Sequence, residues 1–352
     1  MKVLQIIDKL DVGGAERVLI NLSNILFENN MDVSVLCLLN KSELDSELHS
    51  AIPIYYLGRK NKFNPFMINK LYHLLQKFDI VHIHSRHILR YVGLLLFLPK
   101  VYRSFRVVYH DHSLLELEAN FKEKGYLLRL IRKVDATIVV SEEQKYFFPK
   151  GIPISLLENI VRSSKLRVDL QPNRKKLVAI GNFRRIKNYS FLFEILERLP
   201  PEYSCDIYVN SIEKSYFLEN KNVIQMLVDE NKLQIIQGEL DIQSQLINYS
   251  LAIHPSLSES GPLAAVECLS VGLPILIYNT GAVAKRIIEK IPELVKHDNN
   301  CEHWVQSIVQ YHKDFNIMNT YSSELYQLYL ETYSEENYFK KCLKIYNRIL
   351  SS

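Results

Sequence analysis

This chain has no apolar run long enough to cross a membrane. The longest lipid-like stretch, residues 92–98, falls far below the roughly 20 residues a bilayer span needs. The opening strand, Met1-Lys2-Val3-Leu4-Gln5-Ile6-Ile7, soon meets Asp8, Lys9 and Asp11, and no signal peptide is readable there. Cysteine is sparse: Cys37, Cys205, Cys268, Cys301 and Cys342 are far apart, odd in number and without a C-x-x-C pair. That pattern argues against a disulfide framework or a zinc site and suits a reducing compartment. Cys37 and Cys268 lie in apolar runs and read as small buried hydrophobes. Charge imbalance is also lacking. A net +4 over 352 residues gives no concentrated basic face, so no nucleic-acid partner is expected. There is no G-x-G-x-x-G, no Asp-x-Asp, no short internal repeat and no low-complexity segment. With 47% hydrophobic and 23% charged residues, this is an ordinary globular chain with room for two domains. It is expected in the cytoplasm, soluble or held only at a membrane surface.

What the chain does have is alternation. Apolar strand-like runs at residues 2–7, 33–38, 79–82, 106–110 and 136–140 are interleaved with amphipathic stretches such as residues 15–27 and 88–97. Val18, Leu22, Ile25 and Leu26 share one helical face. The alternation weakens over residues 161–176, which hold Ser163, Ser164, Pro172 and several charges, and we read that stretch as a linker. It resumes with strands at 177–180, 205–209, 233–236 and 251–254 and a helix at 189–199. This pattern implies two Rossmann-like halves of parallel βαβ units, closed by a helix over residues 335–349.

The most informative segment is Ser258-Glu259-Ser260-Gly261-Pro262-Leu263-Ala264-Ala265-Val266-Glu267. It follows the strand-like run Leu251-Ala252-Ile253-His254 and precedes another, Leu273-Pro274-Ile275-Leu276-Ile277. A loop at the C-terminal end of a strand that opens into a helix is where α/β sheets bind ligands. The helix start offers free N–H groups, and Gly261 permits close approach to the backbone. Carboxylates there accept hydrogen bonds from hydroxyls. N–H donors beside two carboxylates suit a sugar joined to an anion.

This segment resembles the E-x7-E signature of retaining glycosyltransferases with the GT-B fold, glycosyltransferase family 4 (group 1). Pro255-Ser256 before the first Glu and Gly272-Leu273-Pro274 after the helix extend the likeness. The resemblance implies an α/β architecture of two Rossmann-like domains facing across a cleft. Residues 1–163 would form the acceptor-side domain and residues 164–334 the nucleotide-sugar domain. The terminal helix, residues 335–352, would cross back onto the first. The reaction implied moves a sugar from a UDP- or GDP-sugar to a hydroxyl of a saccharide or lipid-linked saccharide, retaining anomeric configuration, with no cofactor and no metal. Surface polysaccharide, capsule or lipopolysaccharide assembly is the implied setting. Glu259 would lie against the donor sugar and Glu267 against the ribose, with Ser260, Gly261, Pro262 and Leu263 lining the donor.

Other segments fit the same likeness. Asp11-Val12-Gly13-Gly14-Ala15-Glu16 joins the first strand to the first helix and aims N–H groups at an anion. It resembles the family's Gly-Gly-Ala-Glu loop, which places Gly13 and Gly14 toward the donor phosphates and acceptor. Gly181-Asn182-Phe183-Arg184-Arg185-Ile186-Lys187-Asn188 follows the first strand of the second half, and cations there can neutralise a departing diphosphate. Lys187 matches the family Lys, but Asn182 stands where the family has Arg. Either Arg184 or Arg185 supplies that charge, or stabilisation of the leaving group is weaker here. Gly238 matches a family Gly near the nucleotide base. Asn279-Thr280-Gly281 matches a small family loop.

Val107-Val108-Tyr109-His110-Asp111-His112-Ser113 ends a strand. Metal binding by His110 and His112 would need a third ligand that the sequence does not identify. The resemblance assigns His110 to the donor sugar, with His112 able to fill the same role. His82 and His84 read as cleft lining or satisfied core histidines. Residues 100–133 carry eight Lys/Arg against four Asp/Glu, and Tyr126, Leu127, Leu130 and Ile131 form a stripe beside Arg129, Arg132 and Lys133. That stripe suits either an anionic membrane surface or its own domain. Two further readings stay open: a GT-B sugar-nucleotide epimerase, and a catalytically silent GT-B subunit that binds a partner.

Overall fold

The computed structural model describes residues 1–59, 65–112, 121–148, 150–239 and 241–351. The chain divides into two compact units, Met1–Ile160 with Glu335–Ser352, and Val161–Ser334.

The first unit is built on seven strands: β1 (Lys2–Ile7), β2 (Asp32–Cys37), β3 (Ile54–Tyr56), β4 (Ile80–Ile83), β5 (Arg106–Asp111), β6 (Ala136–Val139) and β7 (Ile154–Leu156). They lie in the order β3-β2-β1-β4-β5-β6-β7. Every pairing in the sheet is parallel. Helices on both faces bury such strands on both sides, which is why β1, β2 and β4 read as near-continuous apolar runs. Gln5 pairs with His82, and His82 with Val108. Side chains alternate along a strand, so Gln5, His82, His84 and His110 all fall on one face of the sheet. The helix Glu335–Leu350 belongs to this unit, and Tyr338, Cys342, Ile345, Tyr346 and Ile349 form its buried stripe.

The second unit has β8 (Lys176–Ile180), β9 (Ser204–Val209), β10 (Leu233–Gln237), β11 (Leu251–His254), β12 (Ile275–Tyr278) and β13 (Val295–Lys296). Their order is β10-β9-β8-β11-β12-β13, again parallel throughout. Phe183, Tyr189, Phe193 and Trp304 are buried within it.

In both orders the chain leaves a central strand in one direction and later returns on its other side. That reversal lies between β1 and β4 in one unit and between β8 and β11 in the other. Loops diverge there beyond the strand C-termini and leave a crevice suited to a ligand. The strands β3, β7 and β13 had no counterpart in the sequence pattern. They are edge strands of two or three residues and carry too little apolar periodicity to register. The helix expected over residues 88–97 divides into an α-helix, Arg86–Val92, and a 3-10 turn, Gly93–Phe97.

No helix among the described residues is long and apolar enough to cross a membrane. The stripe weighed for membrane contact is already covered. Leu127, Leu130 and Ile131 are buried, and Leu130 lies so close to Gly93 that a Cβ there would meet it at 2.6 Å. Only Tyr126 of that stripe is exposed. Part of the surrounding basic segment, residues 113–120, lies outside the described residues, as does Ser113.

Candidate active site

In the second unit, two loops leave adjacent central strands and are stitched together. The loop after β8 begins at Gly181, whose φ of +146° excludes most side chains. Phe183 anchors it in the core, a 3-10 turn spans Arg185–Lys187, and Asn188 in the left-handed region starts the helix Tyr189–Arg198. The Leu257 N–H donates to Ile186 O at 3.0 Å, and the Asn188 amide donates to Pro255 O at 3.4 Å. This stitching brings Lys187 to Glu259: Nζ donates to Oε1 at 2.5 Å. His254, the last residue of β11, places Nε2 3.2 Å from the same oxygen. Burial opposes the charge on Glu259. The adjacent His254 imidazole and the Lys187 ammonium outweigh it and hold the carboxyl at about 2. Glu259 is therefore a nearly buried, permanent anion with its own counter-cation.

A third loop, after β12, fixes the backbone of Glu259. The Glu259 N–H donates to Thr280 Oγ1 at 3.2 Å, and the Ala282 N–H donates to Ser260 O at 2.7 Å. Gly281, at φ +77°, packs so tightly that a Cβ would lie 2.9 Å from Glu259 O. Ser260, Gly261 and Pro262 are buried, and Pro262 caps the helix Leu263–Val271, which carries Glu267 half-buried. Gly238, at φ +85°, follows β10 with open space where a side chain would be.

The two arginines differ. Arg185 donates to both carboxylate oxygens of Glu219 at 2.5 Å and lies 5.1 Å from the Tyr216 ring centre. Arg184 is exposed, and its side chain makes no bond among the described residues. Asn182, at the family's Arg position, is used structurally: its Oδ1 accepts from the Ser211 N–H at 3.1 Å.

In the first unit, Gly13 precedes and Gly14 begins the helix Gly14–Glu28. Glu16 folds back over Gly13, where its carboxylate would meet a Cβ at 2.3 Å. Burial pushes the Glu16 carboxyl up, and Asp11 and Asp8 add to it.

The strand ends beside that loop hold His82, His84, His110 and His112 as a stack. Ring centres are 4.4 Å apart for His82–His84, 5.3 Å for His84–His112 and 4.0 Å for His110–His112. His84 Nδ1 lies 3.0 Å from His112 Nε2, and His84 Nε2 lies 2.7 Å from Gln5 Oε1. The Tyr346 hydroxyl lies 2.7 Å from His82 Nδ1 and accepts from Gln5 Nε2 at 3.4 Å. Burial lowers all four imidazoles, with further contributions from neighbouring histidines for His82, His84 and His110; His82 falls to about 3 and His112 to about 4. They are neutral at pH 7.

This cluster supplies the additional imidazoles that the sequence did not identify. Ligand nitrogens of His82, His84 and His110 lie within 4.8 Å of one another. The ring planes differ by 22° for His82–His84, 19° for His82–His110 and 40° for His84–His110. Both His84 nitrogens already have partners, His112 and Gln5, and the rings pack as a neutral stack. His110 is fully buried within the stack, whereas His112, two residues on along the same face, reaches the surface, so packing and not alternation separates the two.

Residues 12–161 match the family described as Glycosyltransferase Family 4, and residues 162–324 match Glycosyl transferases group 1. Together the two matches span nearly all of both units. The chain belongs to the group 1 glycosyltransferases. An uncharacterized glycosyltransferase of Haemophilus influenzae is 23% identical over 314 residues, covering 84% of this chain and 86% of that protein. The capsular polysaccharide biosynthesis glycosyltransferase CapH of Staphylococcus aureus is 25% identical over 233 residues, covering 61% and 64%. The crystal structure of HepE from Anabaena, in complex with UDP and glucose, superposes with a TM-score of 0.83 at 15% identity, covering 98% of each chain. That likeness establishes the fold as GT-B.

Within this group 1 glycosyltransferase, the structure brings Lys187, Glu259, Ser260, Gly261 and Pro262 into one bonded loop system and sets Glu267 on the helix that follows. Arg185 is committed elsewhere. Sequence reasoning named the Asn279-Thr280-Gly281 loop without its contacts to Glu259, and it did not single out His254. A signal was present for Gly281, since a glycine just after a strand marks close backbone approach. Nothing in the sequence pointed from His254 to Glu259.

Proposed function

We propose that this glycosyltransferase transfers a sugar, with retention, from a UDP- or GDP-sugar to a saccharide or lipid-linked saccharide hydroxyl, and that it needs no divalent ion. The observation that carries this reading is the Lys187–Glu259 pair at the strand-end reversal of the second unit. A cation and an anion in contact, beside helix N–H groups, match the two ends of a nucleotide sugar. Lys187 turns to the diphosphate, where charge builds as the glycosidic bond breaks, and Glu259 accepts sugar hydroxyls. Glu267 accepts from the ribose, Gly238 leaves room for the base, and Gly13 and Gly14 offer N–H groups to the phosphates. His112 orients the sugar. Arg184 supplies the second cation that Asn182 cannot, since Arg185 is held by Glu219. Surface-polysaccharide assembly at the inner face of the cell membrane is the setting this chemistry suits, and CapH, a capsular enzyme, supports it.

A thermal-shift panel of UDP- and GDP-sugars, followed by turnover with and without EDTA, tests the reading. A ligand that binds only the folded state raises its melting temperature. We expect one nucleotide sugar to do so and turnover to survive chelation. Activity abolished by EDTA and restored by Mg²⁺ or Mn²⁺ would overturn metal independence. Product formed without any acceptor would favour epimerisation. Arg184→Ala should lower kcat about 10-fold or more while Arg185→Ala stays near wild type, on the scale of one charge-assisted hydrogen bond.

A further inference from the structure

We propose that His254 is a positioning residue for Glu259, holding the carboxylate in place when Lys187 leaves it for the donor diphosphate. The inference rests on the function proposed above. Two nitrogens lie against a single Glu259 oxygen: Lys187 Nζ donates to Oε1 at 2.5 Å, and His254 Nε2, 3.2 Å from it, is buried with no hydrogen bond among the described residues and is poised to take that oxygen over. Oε2 has no partner among the described residues, and on the function proposed above it is the oxygen that accepts from the sugar. The two nitrogens are not equivalent. Lys187 sits on a loop at the end of a flexible stem, and a diphosphate competes for its ammonium. His254 ends β11, where it pairs in register with Ile277 of β12, and its side chain is only 4% exposed. A group on a packed strand keeps its place when a loop side chain moves. Without His254, a carboxylate only 12% exposed would have no neighbouring N–H to turn to as Lys187 departs, and Oε2 would swing from its aim. The Thr280–Gly281 clamp secures the Glu259 backbone, so side-chain aim is the one freedom left for His254 to remove.

The experiment compares His254→Phe with His254→Gln, whose amide nitrogen reaches about as far as Nε2. Dissociation constants are measured for UDP and for the UDP- or GDP-sugar that binds wild type, with kcat alongside. The Phe variant should bind UDP, or GDP, as wild type does, yet lose about 10-fold in affinity for the intact nucleotide sugar and about 10-fold in kcat, the scale of one hydrogen bond to a charged group. The Gln variant should recover most of both. Equal losses for nucleotide and nucleotide sugar, with no rescue by Gln, would show that His254 only packs and would overturn the proposal. A ligand-free measurement separates this failure from failure of the functional reading. The His254 Nε2–H signal in a nitrogen-15 imidazole spectrum should persist in Lys187→Ala and vanish in Glu259→Ala. Its persistence in Glu259→Ala would sink the positioning role whatever the substrate proves to be.

Discussion

The two units solve the same topological problem with opposite chemistry. Each is a parallel sheet whose strand order reverses beside its first strand, and each places its polar residues at that reversal. In the first unit these residues are four stacked imidazoles, buried and neutral, tied through Gln5 to Tyr346 of the terminal helix. In the second they are an ion pair, Lys187 with Glu259, backed by His254. The fold sets where chemistry can occur, and the side chains decide its sign. A neutral stack can shape a surface and donate or accept hydrogen bonds. A charge pair can be pulled apart by a ligand that is itself charged at one end.

Acid should break this comparison most severely. An unfolded imidazole takes up a proton near 6.5, whereas His112 refuses one until about 4 and His82 until about 3. The unfolded first unit therefore binds more protons, and its stability is full above about 6.5 and falls as pH drops. By pH 4 His112 alone removes on the order of 3 kcal/mol. The second unit has His312, pushed down to about 4 by burial, and Glu259, whose contribution is lost only as pH falls from 4.5 toward 2. Hydrogen exchange followed from pH 7 to pH 4.5 should show the first unit losing protection before the second. The reverse order would mean the stack is not held neutral.

Lys187→Ala sharpens the other side. Removing one electrostatic stabiliser of the leaving group should lower kcat about 10²-fold or more. It also leaves Glu259 with only His254, so unfolding in urea should show a loss of stability. Unchanged turnover in a folded variant would remove Lys187 from the reaction. Glu267→Ala should act on binding: losing a carboxylate that accepts ribose hydroxyls costs about 1.5–3 kcal/mol, or roughly 10- to 100-fold in nucleotide-sugar affinity. An unaltered dissociation constant would refute the ribose assignment. The smallest effect belongs to Tyr346→Phe, which deletes the hydroxyl between Gln5 and His82. It should destabilise the first unit by about 1–2 kcal/mol and leave nucleotide binding untouched. Equilibrium urea unfolding with a calorimetric UDP titration would check both halves.

The difference between the units also explains what could be read in advance. Alternating apolar runs and helical stripes are local, so the parallel α/β architecture was legible from residues 2–7 through 335–349. The E-x7-E spacing and the loop around Lys187 are local too, and their residue types state their own chemistry. The short strands β3, β7 and β13 were not legible, because each is two or three residues on a sheet edge. Nor was the choice between His110 and His112, two residues apart on the same face, where only packing buries one and leaves the other at the surface.

The sequence by itself determined the family, the doubly wound halves and the presence of a cation loop and a carboxylate helix, because those features are written in spacing along the chain. Tertiary structure decided which of these groups meet. Lys187 and Glu259 are 72 positions apart, and His82 and Tyr346 are 264 apart. The first is set by strand order and register, which bring distant strand ends side by side, and the second by the packing of the terminal helix on its sheet. A pairing across that distance leaves no periodicity in the chain, and its chemistry appears only when the sheet has closed.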